Sequence, residues 1–156
     1  MILAPHTSNW DLFYEIILAF ALKLDVRFIA KKELFCWPFS PLMKWLGGFP
    51  VDRALASRIV DQMISTFNES KKFVLALTPE GTRHKTGYWK SGFYHIAVSA
   101  HVPIQLAFLD YASKTSGAGP LIYPTGDLDQ DMRTIHNFYL TVKGKHPDKT
   151  SPTIIY

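Results

Sequence analysis

Pro5-His6-Thr7-Ser8-Asn9-Trp10-Asp11 stands where an apolar run gives way to a helical pattern. Ahead of it, Ile2, Leu3 and Ala4 carry no charge and read as the end of a buried strand. Behind it, apolar residues recur at helical spacing from Trp10 to Leu24. Thr7, Ser8 and Asn9 are all good N-caps, so the helix is expected to start among them.

The same stretch carries a histidine and a carboxylate five positions apart. Inside one helix, five positions turn through about 500° and leave two side chains roughly 140° apart. With His6 in the turn and Asp11 in the first helical turn, the imidazole can fold back onto the carboxylate. An acid so placed orients the ring, fixes its tautomer and leaves the other nitrogen as a general base. That is the base and orienter of a Ser-His-Asp triad without the serine. It suits a substrate that brings its own hydroxyl. The spacing from Ser8 to Asp11 equally makes a capping box, with His6 a plain turn residue.

The chain has 156 residues, which suits one domain over 1–156 with a core over about 2–142. Its end, from Lys143, is polar with Pro147 and Pro152 and is expected to be a peripheral tail. Hydrophobic residues make up 47% and charged residues 19%, enough apolar surface for a core. Aromatics at 14% point to an apolar-ligand or lipid-facing surface. A net charge of +4 favours anionic partners such as phosphorylated molecules or anionic headgroups. No nucleic-acid module is recognisable, and no nucleic-acid partner is expected. Cys36 is the single cysteine, so no internal disulfide can form and a reducing compartment is expected. No signal peptide is visible. The run from Trp10 to Leu24 is broken by Asp11, Glu15 and Lys23, too short and charged to span a bilayer. The start on a strand leads us to expect an N-terminal element missing from the chain.

Further along, Val26 to Ala30 reads as a strand. The aromatic stretch Leu34 to Leu46 contains a short helix from about Pro41, ended by Gly47-Gly48. This stretch is either a cover for the core or an interfacial patch or acyl-chain wall, since Trp and Phe flanked by Lys suit a bilayer surface. Phe49 to Val51, Lys72 to Leu77 and Pro103 to Leu109 read as strands. Ser57 to Glu69, Gly92 to Ala100 and Asp127 to Val142 read as helices. Tyr111 to Gly119 reads as a loop before a short strand over Leu121 to Tyr123. The alternation argues for a layered α/β single domain, its mostly parallel or mixed sheet flanked by helices. Sites in such sheets gather at the carboxyl ends of the strands. His6, Arg53 and Glu80-Gly81-Thr82-Arg83 all follow expected strands.

Arg83 has the planar fork that grips phosphate oxygens. Gly81 lets the backbone approach an anion closely, and Glu80 can hold Arg83 or the loop. Arg53 is a second phosphate candidate, and Lys90 adds positive charge. Taken alone, the same residues serve as a surface turn with a local ion pair, an Asp52–Arg53 bridge and a solvated lysine.

In order, these motifs resemble the glycerolipid acyltransferases, the lysophosphatidic acid acyltransferase superfamily. His6-Thr7-Ser8-Asn9-Trp10-Asp11 looks like the family's H-x-x-x-x-D motif. Gly48-Phe49-Pro50-Val51-Asp52-Arg53 is similar to its second motif, and Pro79-Glu80-Gly81-Thr82-Arg83 to its third, E-G-T-R. Val102-Pro103-Ile104 resembles the fourth. The resemblance covers roughly residues 2 to 110. Thr78 stands where an aromatic often precedes the third motif, and the loop from His84 to Lys90 is short. The resemblance implies acyl transfer from acyl-CoA or acyl carrier protein to a lysophospholipid hydroxyl, with 1-acyl-glycerol-3-phosphate as the leading acceptor. It implies His6 as base with Asp11 as its partner. Arg53, Glu80, Gly81, Thr82, Arg83 and Lys90 would bind the acceptor. It implies no metal, no cofactor beyond the acyl donor, and peripheral attachment at the cytoplasmic inner face of a membrane. Other acceptors, namely glycerol 3-phosphate, an amino-lipid or a glycolipid, and a non-catalytic lipid- or anion-binding domain remain the rival readings.

Overall fold

Ile2–Leu3 (β1) is a strand of two residues, yet it sits inside the sheet with a neighbour on each side. Ile2 and Leu3 pair in parallel with Ala76 and Leu77, and with Gln105 and Leu106. The strand can be that short because Leu3 is fully buried and Ala4 extends the ladder with one bond to the Leu77 carbonyl. The computed structural model describes residues 1–51, 56–82, 85–153 and 155, with only the backbone at Lys31, Ala56 and Ser57.

After β1 the elements run Asn9–Ala21 (α1), Val26–Lys31 (β2), Ser40–Trp45 (α2), Gly48–Val51 (β3), Ala56–Glu69 (α3) and Val74–Leu77 (β4). Then come Gly92–Ser99 (α4), Ile104–Asp110 (β5), Thr115–Ile122 (β6) and Leu128–Tyr139 (α5). One sheet carries the strands in the order β3-β2-β4-β1-β5-β6, parallel except for β6. The expected mixed α/β layering is therefore present. The order has a functional consequence. The chain leaves β1 through α1 toward β2 on one side, and leaves β4 through α4 toward β5 on the other. Such a reversal opens a crevice at the carboxyl ends of the adjacent strands, here β1 and β4.

Leu3, Leu75, Ile104 and Leu106 of the sheet pack with Met63 of α3, Phe93 and Ile96 of α4, and Ile135 of α5. Helix α1 adds no side chain to that cluster; the buried residue on α1 is Asp11.

One element departs from expectation. The segment read as a loop over Tyr111 to Gly119 belongs largely to β6, which forms an antiparallel hairpin with β5. Asp110 shapes the turn, accepting from the Ala112 amide at 3.0 Å and the Ser113 hydroxyl at 2.8 Å. Edge strand β6 pairs on one side only, so it needs no apolar alternation and tolerates Gly117, Gly119 and Pro120. Gly119 packs directly against Phe138, whose ring would have to shift to admit a Cβ there.

Candidate active site

The turn after β1 is organised by Asp11. Ser8 caps α1, its hydroxyl accepting from the Trp10 amide at 3.2 Å. Asp11 Oδ2 accepts from the amides of Thr7 at 2.7 Å and Ser8 at 2.8 Å. Its Oδ1 accepts from the Tyr111 hydroxyl at 2.7 Å. The carboxylate is buried and donates its acceptor capacity to the turn rather than to the ring. This corrects the expectation that Asp11 holds His6 directly. The amides of Thr7 and of the N-cap Ser8 have no intrahelical partner and lie closer to the carboxylate than the imidazole does.

His6 is held from elsewhere. Its Nδ1 lies 2.9 Å from the Ala4 carbonyl and its Nε2 lies 3.1 Å from Glu15 Oε2. A carbonyl only accepts, so Nδ1 carries a hydrogen and the tautomer is set by the backbone. Burial alone would lower the pKa of His6. The hydrogen bond and charge of Glu15, the charge of Asp11 and the Ala4 carbonyl outweigh it, so the pKa is raised. Glu15 lies one helical turn beyond Asp11, on the same face of α1.

Glu80 follows β4, the strand beside β1, and therefore reaches the same crevice. It is 3% exposed, and Oε2 has no hydrogen-bond partner among the described residues. Burial pushes its pKa up to about 7, against the pull of the Glu80 and His6 amides and the His6 charge. Unfolding returns the carboxyl to its ordinary value of 4.5. Between these values the folded chain holds the extra proton, so this group's effect makes stability fall as pH rises. Glu80→Gln removes the ionisation. We expect the variant to gain on the parent as pH rises from 4.5 to 7, by roughly 3 kcal/mol at the plateau. Urea unfolding at pH 4 and pH 8 measures the difference; equal gaps at both would refute it.

The loop after Glu80 turns at Gly81, whose φ of +63° favours glycine. Lys90 lies over it: a Cβ on Gly81 would sit 3.2 Å from Lys90 Nζ, and the Lys90 amide donates to the Pro79 carbonyl at 2.9 Å. Thr82 follows in the same loop, half-buried. The structure thus brings His6, Asp11, Glu80, Gly81, Thr82 and Lys90 to neighbouring strand ends. Arg53 and Arg83 lie outside the described residues.

Helix α1 is amphipathic in an unusual sense. Its inner face carries Asp11 and Glu15, and its outer stripe of Trp10, Phe13, Tyr14, Ile17 and Phe20 is exposed. A cleft of about 110 Å³ runs along its side, lined by Leu12, Glu15, Ile16, Phe20, Phe28 and Trp45 among others. Its wall is apolar except near Glu15 and Asp25. Trp37 and Trp45, 88% and 72% exposed, continue the apolar surface beyond it. Among the described residues, no helix is long and apolar enough to cross a membrane.

The tail from Lys143 touches both motif loops. The Lys143 carbonyl accepts from the Tyr111 amide at 2.9 Å, and the His146 amide donates to Thr7 Oγ1 at 3.3 Å. Lys145 Nζ stands 5.1 Å from the Trp10 ring centroid. Buried Ser151 accepts from the Thr86 amide at 2.9 Å, just beyond the Glu80 loop. Polar residues mark a segment as loop; they do not tell whether its hydroxyls and amides satisfy buried partners.

Sequence reasoning passed over Glu15, Tyr111 and Tyr139. Tyr139 places its hydroxyl 2.8 Å from the Leu3 carbonyl and 3.0 Å from that of Ala107, where β1 stops. Glu15 had a signal: it is the only ionisable acid or base between Asp11 and Lys23 other than Tyr14, on an otherwise apolar helix. The tyrosines had none.

A family model described as Acyltransferase matches residues 1–107. A 1-acyl-sn-glycerol-3-phosphate acyltransferase of Cocos nucifera is 31% identical over 105 residues, covering 64% of this chain and 33% of that protein. One of the same name from Haemophilus influenzae is 29% identical over 106 residues, covering 64% of this chain and 42% of that protein. The chain therefore spans about a third to two-fifths of the length of these relatives. In fold it is similar to the crystal structure of the 1-acyl-sn-glycerophosphate (LPA) acyltransferase PlsC from Thermotoga maritima. The TM-score is 0.57 at 21% identity, over 86% of this chain and 60% of that one. With the described residues of the first and third motifs at neighbouring strand ends and the family model matching residues 1–107, this chain belongs to the acyltransferase family.

Proposed function

We propose that this chain carries the catalytic core of an enzyme that moves a fatty acyl group from a thioester, acyl-CoA or acyl carrier protein, to the free hydroxyl of 1-acyl-glycerol-3-phosphate. The observation that carries the reading is the position of His6. Its Nδ1 is fixed by a backbone carbonyl, so Nε2 is the nitrogen available for proton transfer, and the Glu15 carboxylate it faces lines an apolar cleft. The acceptor's hydroxyl gives its proton to Nε2 as its oxygen attacks the thioester carbon. The tetrahedral intermediate collapses with loss of the C–S bond, and the thiolate leaves to be protonated.

Arg53, Arg83 and Lys90, with Glu80, Gly81 and Thr82 shaping the loop, would bind the acceptor's phosphate. The closeness of Lys90 Nζ to Gly81 supports that assignment for the lysine. Catalysis then rests on positioning and charge, with the acyl donor as co-substrate and no further cofactor. The test is thiol release from acyl-CoA and acyl carrier protein, with and without the lysophosphatidic acid. Release that does not depend on the acceptor would overturn the reading.

A lipid acceptor must be met at a membrane, and we propose peripheral contact at the cytoplasmic inner face. Trp37, Phe39 and Trp45 with the outer stripe of α1 form an exposed apolar surface of the kind that enters the headgroup region. Replacing Trp37 and Trp45 by serine should weaken liposome binding on the order of tenfold per tryptophan. Flotation unchanged by the double substitution would move the contact elsewhere.

A further inference from the structure

The inference concerns Glu15 and rests on the reading of His6 as the base. Nδ1 of His6 is occupied by the Ala4 carbonyl, and Nε2 faces Glu15 Oε2 at 3.1 Å. Nε2 is thus the nitrogen an acceptor hydroxyl must reach, and a carboxylate of the protein already holds it. One proton lies between that nitrogen and that oxygen. Glu15 also lines the apolar cleft, so one carboxylate touches both the cleft and the ring. Its side chain is 21% exposed against 8% for His6, which leaves the carboxylate a path to solvent.

Among the described residues, the other ionisable groups around the ring do not compete for that position. Asp11, also on α1, has both oxygens engaged by Thr7, Ser8 and Tyr111. Glu80, from the loop after β4, feels the charge of His6 and receives the His6 amide rather than its ring. Tyr139 of α5 is directed at the Leu3 and Ala107 carbonyls. We infer that Glu15 is a positioning residue that holds His6 Nε2 in the resting site and yields that nitrogen to the acceptor's hydroxyl.

In the exchange, Glu15 swings toward solvent and the shared proton leaves with its carboxyl for water. Nε2 keeps its lone pair. The hydroxyl enters the vacated place and transfers its own proton as its oxygen bonds to the acyl carbon. A carboxylate is the right group for this task because it holds the ring until the acceptor arrives without filling the space permanently. The charge of Glu15 also favours the protonated ring, so it sets the pH at which the base becomes available.

The test is Glu15→Gln, which keeps the shape and removes the charge. The acid limb of kcat/KM against pH should move to lower pH, because burial of His6 is then less opposed. The plateau should fall, because the base is weaker and less well held. A side-chain NMR titration of the His6 ring should move in the same direction without substrate. Glu15→Asp, a shorter carboxylate, should return the acid limb toward the parent while the plateau stays low. A limb and a ring titration both superimposable on the parent would overturn the inference; a ring titration that moves without the kinetic limb would also overturn it. His6→Ala in the same series separates the two ideas. If that variant is inactive and Glu15→Gln matches the parent, only the role of Glu15 falls. If His6→Ala keeps full turnover, the base reading falls and the role of Glu15 with it. Where no acceptor yields turnover, the ring titration alone decides: unmoved overturns the inference, lowered supports it.

Discussion

His6→Ala is expected to lower acyl transfer by roughly 10²–10⁴-fold, the usual worth of a positioned general base. The loss should appear in kcat and in kcat/KM together, because the proton moves only in the transition state. The acceptor's phosphate is held by other residues under the proposed function, so its apparent affinity should change little. The ring contributes one hydrogen bond to the Ala4 carbonyl and one contact to Glu15, both at the edge of the core. The sheet beneath it is secured by Leu3 and its neighbours. Circular dichroism should therefore remain that of the parent. Thiol release at the parental rate from a folded His6→Ala protein would remove His6 from the chemistry.

Asp11→Ala is expected to act first on stability. The carboxylate satisfies two backbone amides and the Tyr111 hydroxyl. Truncation leaves those donors without their charged acceptor in a buried turn. A cost of about 3–5 kcal/mol follows, a large share of the stability of a domain this size. Asp11→Asn should cost much less. Its amide oxygen can still accept from Thr7 and Ser8, while its NH₂ group can donate to the Tyr111 oxygen. The contrast separates a structural carboxylate from a ring orienter, since an orienter would suffer from the amide as well. Urea denaturation of both variants measures it. Equal destabilisation by Ala and Asn would mean that the negative charge, rather than the hydrogen-bond pattern, carries the effect.

The strand and helix order was legible because burial imposes period. Val74 to Leu77 runs apolar between β-neighbours, and α3 shows Ile59, Met63 and Phe67 on one side. β6 was not legible: an edge strand with glycines and a proline has no pattern to show, and its pairing depends on β5 alone. Helix α1 illustrates a second limit. Its apolar stripe was visible, but a stripe does not say which way it faces, and here its aromatic side looks outward.

The candidate site divides in the same way. Local sequence alone determined the strand-to-helix turn at His6, the Ser8–Asp11 capping box and the tight loop at Gly81, since each depends on neighbours within a few residues. Only the tertiary structure decided who holds the imidazole. The choice of Glu15 and the Ala4 carbonyl over Asp11 depends on how β1 enters α1 and how Tyr111, a hundred residues away, competes for the carboxylate. It also decided that the tail closes over Thr7 and Thr86. Hydrogen-bond capacity is written in each residue, but its allocation is settled by competition among groups that the chain brings together only when the sheet forms.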